Sequence, residues 1–443
     1  MVYLDNSSTT RQADEVTDLI YEISKNDFGN PSSLHSIGFS AEKLVEAARK
    51  SFAGSIGVSP SEVTFNSGGT EGDNTVLFGA ARAHKHDGKR IVISAVEHPA
   101  IMEAADRLKH DGFEIVKVGV SRDGIIDMDA LREAVNDDTI LVSVMTVNNE
   151  TGALMPIHEI TDIAHAHGAL MHTDAVQSYG KIDMSPYTAA GSSKSGSPYT
   201  AAGSSKSGSP YTAAGSSKSG SSDGSAQRNK SKSALSGGVD FITVSSHKIH
   251  GPKGVGALYQ KKGLELPPYI VGGGQEKNRR SGTENVPGIA GFGKACDLAA
   301  SLREASYEKV AAARKYLLDG LQDQIPDILI NSPEIAVDGT GRVADGKPGA
   351  IPYVLNVSFL GTRGEVLLHT LEQDGIFVST GSACSSNKKG GSYVLAAMGR
   401  TPKEIEAAVR FSFCRYNTVE EMDYVIDKTA TAVARFRRLG SFR

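Results

Sequence analysis

The chain has 443 residues, 39% of them apolar, and a formal net charge of −4, enough for two ordinary globular domains. That charge excludes nucleic acid or a membrane surface as a partner recruited by simple electrostatics, and no apolar run approaches the ~20 residues of a spanning helix. Three cysteines, Cys296, Cys384 and Cys414, form an odd set without CxxC spacing, which argues against a disulfide framework or a structural zinc site.

The first residues, 1-MVYLDNSSTT, read as neither a signal peptide nor a transit peptide, so a reducing cytoplasm is expected. Then 63-VTFNSGG leads into the helical run 71-EGDNTVLFGAARAH. Further strands are predicted at 91-IVISAV, 114-EIVKVGV, 140-ILVSVMTV, 169-ALMHTDAV and 240-DFITVSS. Periodic segments such as 127-DMDALREAVN and 156-PIHEITDIAHAHG separate them. Apolar strands alternating with helices predict an α/β fold with a mostly parallel sheet covered on both faces. Beyond residue 285 a long helical stretch, then 353-YVLNVSFLG and 375-GIFVST, predict a smaller C-terminal α+β domain. The expected division is 15–305 for the large domain and 306–443 with 1–14 for the small one.

One region breaks the rhythm. The 12-mer SPYTAAGSSKSG occurs three times without a change from Ser185, and residues to 238 continue its composition. Ser, Gly and Lys bury too little apolar surface to offset chain ordering, so 185–238 is expected to be a disordered, basic insertion.

The ends of the predicted strands collect polar groups: Gly68, Gly69 and Thr70, then His98, Asn149, Asp174, Gln177, Ser245, His247 and Lys248. Singly, each has a plain reading as a cap, a turn residue or a surface lysine. Together they line one sheet edge, where open parallel sheets bind ligands. Pyridoxal phosphate would use them all. It needs a lysine for its aldehyde, a carboxylate beside its ring nitrogen, a flat group against the ring and a phosphate cradle at a helix start. Lys248 suits the first role, Asp174 the second, His98 the third, and Thr70, Ser245 and His247 the last.

The ordered motifs 4-LDNSSTT, 29-GNPSSLHSIG, 64-TFNSGGTEGDN, 97-EHPA, 147-VNNETG, 173-TDAVQ, 245-SSHKIHGPKG, 279-RRSGTENV, 379-STGSACSSN and 409-VRFSF resemble those of group I cysteine desulfurases. These are fold type I pyridoxal phosphate enzymes of the class-V aminotransferase family. The resemblance implies a seven-stranded, mostly parallel sheet. It makes Lys248 the cofactor lysine, His98 the stacking and proton-transfer residue, Asp174 the partner of the ring nitrogen and Gln177 that of the ring hydroxyl. Gly69, Thr70, Ser245 and His247 would hold the phosphate, with Thr283 from the second subunit of a homodimer. Asn149 and Arg410 would bind the substrate carboxylate, and Asn149 would also face the cofactor.

Cys384 lies in 380-TGSACSSNKKGGS, a run of small residues that reads as a mobile loop over about 380–392. The resemblance makes it the nucleophile that takes sulfur from L-cysteine as a persulfide. The sulfur then passes to an acceptor protein, a cluster-assembly scaffold or a tRNA-thiolation enzyme. Cys296 and Cys414 stand in apolar periodic settings and read as core residues. A selenocysteine lyase or another cysteine lyase remains the alternative, with a non-catalytic scaffold behind it. The insertion is the departure from the family pattern, since it lengthens the connection between Asp174 and Lys248.

Overall fold

The computed structural model describes residues 1–188, 237–335, 349–380 and 391–440. The chain opens with the short strand β1 (Val2–Tyr3), then helices α1 (Asp14–Asn26) and α2 (Ser36–Ser55). Strand–helix alternation follows: β2 (Val63–Asn66), α3 (Gly69–Ala83), β3 (Arg90–Ser94), α4 (Pro99–His110), β4 (Glu114–Val118) and α5 (Met128–Ala134). It continues with β5 (Thr139–Ser143), α6 (Ile157–Ala166), β6 (Leu170–Asp174), β7 (Phe241–Ser245) and β8 (Gly256–Gln260).

Strands β2 to β8 form one seven-stranded sheet in the order β2-β8-β7-β6-β5-β3-β4. Only β8 runs antiparallel to its neighbours. Every residue of β5, β6, β7 and β8 is buried, which is why these strands read as near-continuous apolar runs instead of alternating ones. Phe52 of α2, Tyr179 and Phe292 form an aromatic cluster with centroids 5.3 to 6.4 Å apart, packing the helical layer together.

The C-terminal part is built on α7 (Val286–Gln324), followed by β9 (Ile328–Ile330), β10 (Val354–Phe359), α8 (Gly364–Gln373) and β11 (Ile376–Phe377). The chain ends through α9 (Tyr393–Ala397), α10 (Pro402–Glu406), β12 (Ala408–Ser412) and α11 (Val419–Arg438). Strands β12, β10 and β9 make an antiparallel sheet. Strand β1 pairs with β11, which stitches the N-terminus to this part. Helix α7 runs unbroken through residue 306, packing on α1 and α2 with one half and on α11 with the other. The expected boundary at 305/306 therefore falls inside a helix shared by both parts.

The expected disorder does not begin at residue 185. Ser185–Tyr187 form a 3-10 turn, Tyr187 is buried and stacks on His158 at 4.8 Å, and Thr188 donates to the Ile56 carbonyl. Tyr187 is the one large ring the repeat offers, and burying it fixes the first copy's opening residues. The chain is described again from Gly237, and the Val239 N–H donates to the Tyr187 carbonyl at 2.8 Å. The remainder of the insertion, 189–236, lies outside the described residues. Among the described residues no helix is long and apolar enough to cross a membrane.

Candidate active site

The site lies beyond the carboxyl ends of β2, β6 and β7. Strand β2 delivers Asn66 to a turn in which Gly68 takes φ 145°, a conformation open to glycine. Its N–H donates to Asn66 Oδ1, and α3 then starts with no side chain capping it. The free N–H groups of a helix's first turn favour an anion. A Cβ on Gly256 of β8 would come within 2.6 Å of Gly68 Cα, so that strand needs a bare backbone to pass the turn. A cavity of about 360 Å³ opens here, lined by Ser8, Thr9, Gly68, Gly69, Thr70, Ser245 and His247 among others.

Strand β7 ends at Ser245, and a 3-10 turn over Ser246–Lys248 swings the lysine towards the N-terminal segment. Lys248 Nζ donates to the Ser7 and Ser8 carbonyls, each at 2.6 Å. His247 Nδ1 lies 3.1 Å from Thr9 Oγ1. Burial and the neighbouring Lys248, Lys253 and Lys181 push the His247 imidazole down to about 4, so near pH 7 the ring is neutral.

Asp174, at the end of β6, is buried and accepts the Val176 N–H at 2.8 Å. Burial raises its pKa, while His98 and Lys248 pull in the opposite direction. His98 caps α4, its Nδ1 accepting the Ala100 N–H at 3.2 Å. That bond leaves Nε2 to carry the proton of the neutral ring. Burial depresses the His98 pKa, with Asp174 opposing and Lys248 assisting. Gln177 is turned by two contacts: its Nε2 donates to the Ser7 carbonyl at 2.9 Å, and its Oε1 accepts from Lys181 Nζ at 2.8 Å.

Arg410 enters from β12. Its Nη1 donates to the Asn149 carbonyl at 3.1 Å, and its Nη2 to Asp5 Oδ1 and Ser8 Oγ at 2.8 Å each. Arg410 Nε and Asn149 Oδ1 are both buried and, among the described residues, have no hydrogen-bond partner. Buried polar atoms of this kind, side by side, can be completed by a ligand. Backbone bonds in both directions join Arg410 to Ser379, at the edge of the expected cysteine loop. At the other edge Ser392 donates to Glu150 and Tyr393 to the Glu97 carbonyl. Cys384 itself lies outside the described residues.

The structure thus brings Gly69, Thr70, Ser245, His247 and Lys248 to one cavity region, with Asp174, His98 and Gln177 deeper and Asn149 and Arg410 beside them. Thr283 is exposed and does not line the cavity of its own chain. Cys296 and Cys414 are buried, as their settings predict. Sequence reasoning missed the carbonyls of Ser7 and Ser8, the orienting Asp5, and Lys181. It also missed Asp73, fully buried on α3, whose pKa is raised by burial and by Asp174. The motif 4-LDNSSTT marked the segment, but no local pattern in it shows which chain-distant groups it meets.

An amine, a buried carboxylate, a flat imidazole and an uncapped helix start form the donor set that pyridoxal phosphate requires, so the residues present fit that group. Residues 2–189 and 223–425 match the family described as Aminotransferase class-V. The chain is 35% identical over 442 residues to the cysteine desulfurase IscS of Dictyoglomus turgidum, covering 100% of this chain and 97% of that one. Among solved structures it is similar to a NifS-like protein, with a TM-score of 0.78, 32% identity and coverage of 98% and 99%. It is also similar to SspA in complex with cysteine, with a TM-score of 0.70, 25% identity and coverage of 94% and 100%. With its full length matched, the chain belongs to the class-V aminotransferase family and, within it, to the pyridoxal-phosphate-dependent cysteine desulfurases.

Proposed function

We propose that the protein converts L-cysteine to L-alanine and receives the sulfur on Cys384, from which an acceptor protein takes it. The observation that carries this reading is Lys248, held by the Ser7 and Ser8 carbonyls beside both the anion cradle and the buried Asp174–His98 pair. Pyridoxal phosphate, when bound, supplies an electrophilic aldehyde and a ring that accepts the negative charge released at the substrate Cα.

The chain's own residues do the rest. Gly69, Thr70, Ser245 and His247 hold the phosphate, His247 as a neutral donor or acceptor. Lys248 would hold the cofactor through its aldehyde and, as a free amine, would move the proton at the substrate Cα. His98 would flank the ring, its Nε2 available to pass protons. Asp174 would hold a proton at the ring nitrogen, and Gln177 would donate to the ring oxygen. Arg410 and Asn149 take the substrate carboxylate, the guanidinium edge bearing Nε being free to bind it. The Cys384 thiolate attacks the substrate sulfur. The S–Cβ bond breaks, its electron pair passes to the substrate carbon, and a persulfide remains on Cys384.

The active form is a homodimer in which Thr283 completes the partner's phosphate site. Two ion pairs support this by fixing the loop that carries Thr283: Arg49–Glu276 at 2.8 Å and Arg280–Glu71 at 2.8 Å. Apolar side chains are exposed on that loop and near α2, among them Val271, Leu34 and Phe39. The chain works as a large cofactor-binding domain, 15–305, and a small domain, 306–443 with 1–14, in the cytoplasm. Its acceptor is a cluster-assembly scaffold or a tRNA-thiolation enzyme. The test is the visible spectrum of the purified protein before and after L-cysteine, with alanine and persulfide measured in the same sample. A band that shifts, with equal alanine and sulfur released, supports the reading. A protein that stays colourless after incubation with pyridoxal phosphate refutes it.

A further inference from the structure

Lys181 has no part in the chemistry above, yet it is buried, at 7% exposure, next to it. It follows β6 by a turn and lies four residues after Gln177, whose Oε1 accepts from its Nζ at 2.8 Å. The same amide gives its N–H to the Ser7 carbonyl, which also accepts from Lys248 Nζ at 2.6 Å. Lys181, Gln177, Ser7 and Lys248 therefore form one chain of hydrogen bonds. A cavity of about 30 Å³ is lined by both lysines, with Tyr353 and Cys414 among others, and has room for one water.

What surrounds Lys181 is unusual for a buried cation. Among the described residues no carboxylate comes within 4.0 Å of its Nζ; its neighbours are an amide oxygen and the Tyr353 ring, whose centroid lies 5.5 Å away. Lys248 and Arg410 act on it as like charges, with the Cys414 thiol opposing them among the described residues. Lys248 in turn faces His98 from the start of α4, Asp174 from β6 and His247 from its own turn. A charged residue is rarely buried unpaired unless its position is needed. An amide held at its oxygen by a lysine can present only its N–H groups on the other side, so Lys181 also decides which way Gln177 faces.

We propose that Lys181 is a positioning residue of the active site: it locks Gln177 as a donor and keeps a second cation beside Lys248, so that Lys248 releases its proton more readily. Burial, Lys248 and Arg410 push Lys181 itself down to about 7, so it stands as a cation beside Lys248 below about pH 7 and its effect is read in that range. The inference rests on Lys248 being the cofactor lysine.

The experiment is a pH titration of the visible absorption of the protein loaded with pyridoxal phosphate, in the parent and in Lys181→Met, Lys181→Gln and Lys181→Arg. Gln keeps a donor for Gln177 and so protects the fold where Met does not. In either neutral variant the half-point of the titration should rise by about one unit, the size expected for losing a nearby like charge. Lys181→Arg, charged throughout the titration, should bring it back to the parent value or below. A half-point unchanged in the neutral variants overturns the role of Lys181 and leaves Lys248 standing. A parent that takes up no cofactor overturns both. A lysine that only supported the fold would change the amount of loaded protein and not its half-point.

Discussion

Arg410 Nη2 lies 2.8 Å from Asp5 Oδ1, and the two residues are 405 positions apart in the chain. The contact fixes one corner of a guanidinium whose Nε is buried and has no partner among the described residues. Asp5→Ala should let Arg410 swing and raise KM for L-cysteine about tenfold, close to the ~1.5–3 kcal/mol of a hydrogen bond to a charged group. Arg410→Lys should do the same or worse, because an ammonium lacks the planar fork. Steady-state kinetics with cysteine check both, and an unchanged KM would remove Arg410 from the carboxylate site.

Lys248 and Cys384 should separate in their effects. Lys248→Ala should abolish the spectral change on adding cysteine. Cys384→Ala should keep that spectral response, since the cofactor site is intact, while alanine formation falls to background. Alanine formation surviving in Cys384→Ala would favour a plain lyase.

Two buried carboxyls give the fold a pH dependence of known sign. Burial lifts Glu97 from 4.5 to about 8 and Glu150 from 4.5 to about 7. The folded state then holds protons that the unfolded chain loses above 4.5. Their contribution to stability is fully present below about pH 4.5, declines as pH rises, and is gone above about 7 for Glu150 and 8 for Glu97. Glu97→Gln should flatten that decline. Tm followed from pH 5 to 8.5 for parent and variant measures it, and parallel curves would refute it.

The Arg49–Glu276 pair is nearly buried, with side chains 6% and 4% exposed, and Glu276 also accepts the Phe65 N–H of β2. Arg49→Met would strand the carboxylate. Loss of about 3–5 kcal/mol is expected, read from denaturant unfolding. The loop it holds carries positive φ at Glu276, Lys277 and Asn278, so loosening it should also weaken phosphate retention if Thr283 acts across a dimer.

The legible part of this protein was its sheet. Strands β5 to β7 announced themselves because burial on both faces forces continuous apolar sequence, and their polar ends stood out against it. The placement of Asp174 and Lys248 at the ends of β6 and β7 was readable for that reason. Asp73 and Glu97 were not, because a carboxyl in a helical run or a turn looks like an ordinary solvated residue until the layer above it is known. Asp5 and the Ser7 and Ser8 carbonyls were hidden by distance along the chain, which local pattern cannot bridge. The start of the insertion was misplaced because Tyr187 and Thr188 are both buried in the fold, Tyr187 against His158 and Thr188 donating to the Ile56 carbonyl.

The neck of that insertion has a consequence of its own. An ideal Cβ on Gly238 would sit 2.4 Å from the Thr188 carbonyl carbon, so the chain leaves and re-enters the fold at almost one point. A closed neck makes whatever hangs from it thermodynamically nearly invisible, since doubling the length of such an excursion costs only about 0.6 kcal/mol. Joining Thr188 directly to Gly237 should give a shorter protein with the same spectrum and the same turnover, and the locus is in effect a docking port into which unrelated sequence can be spliced.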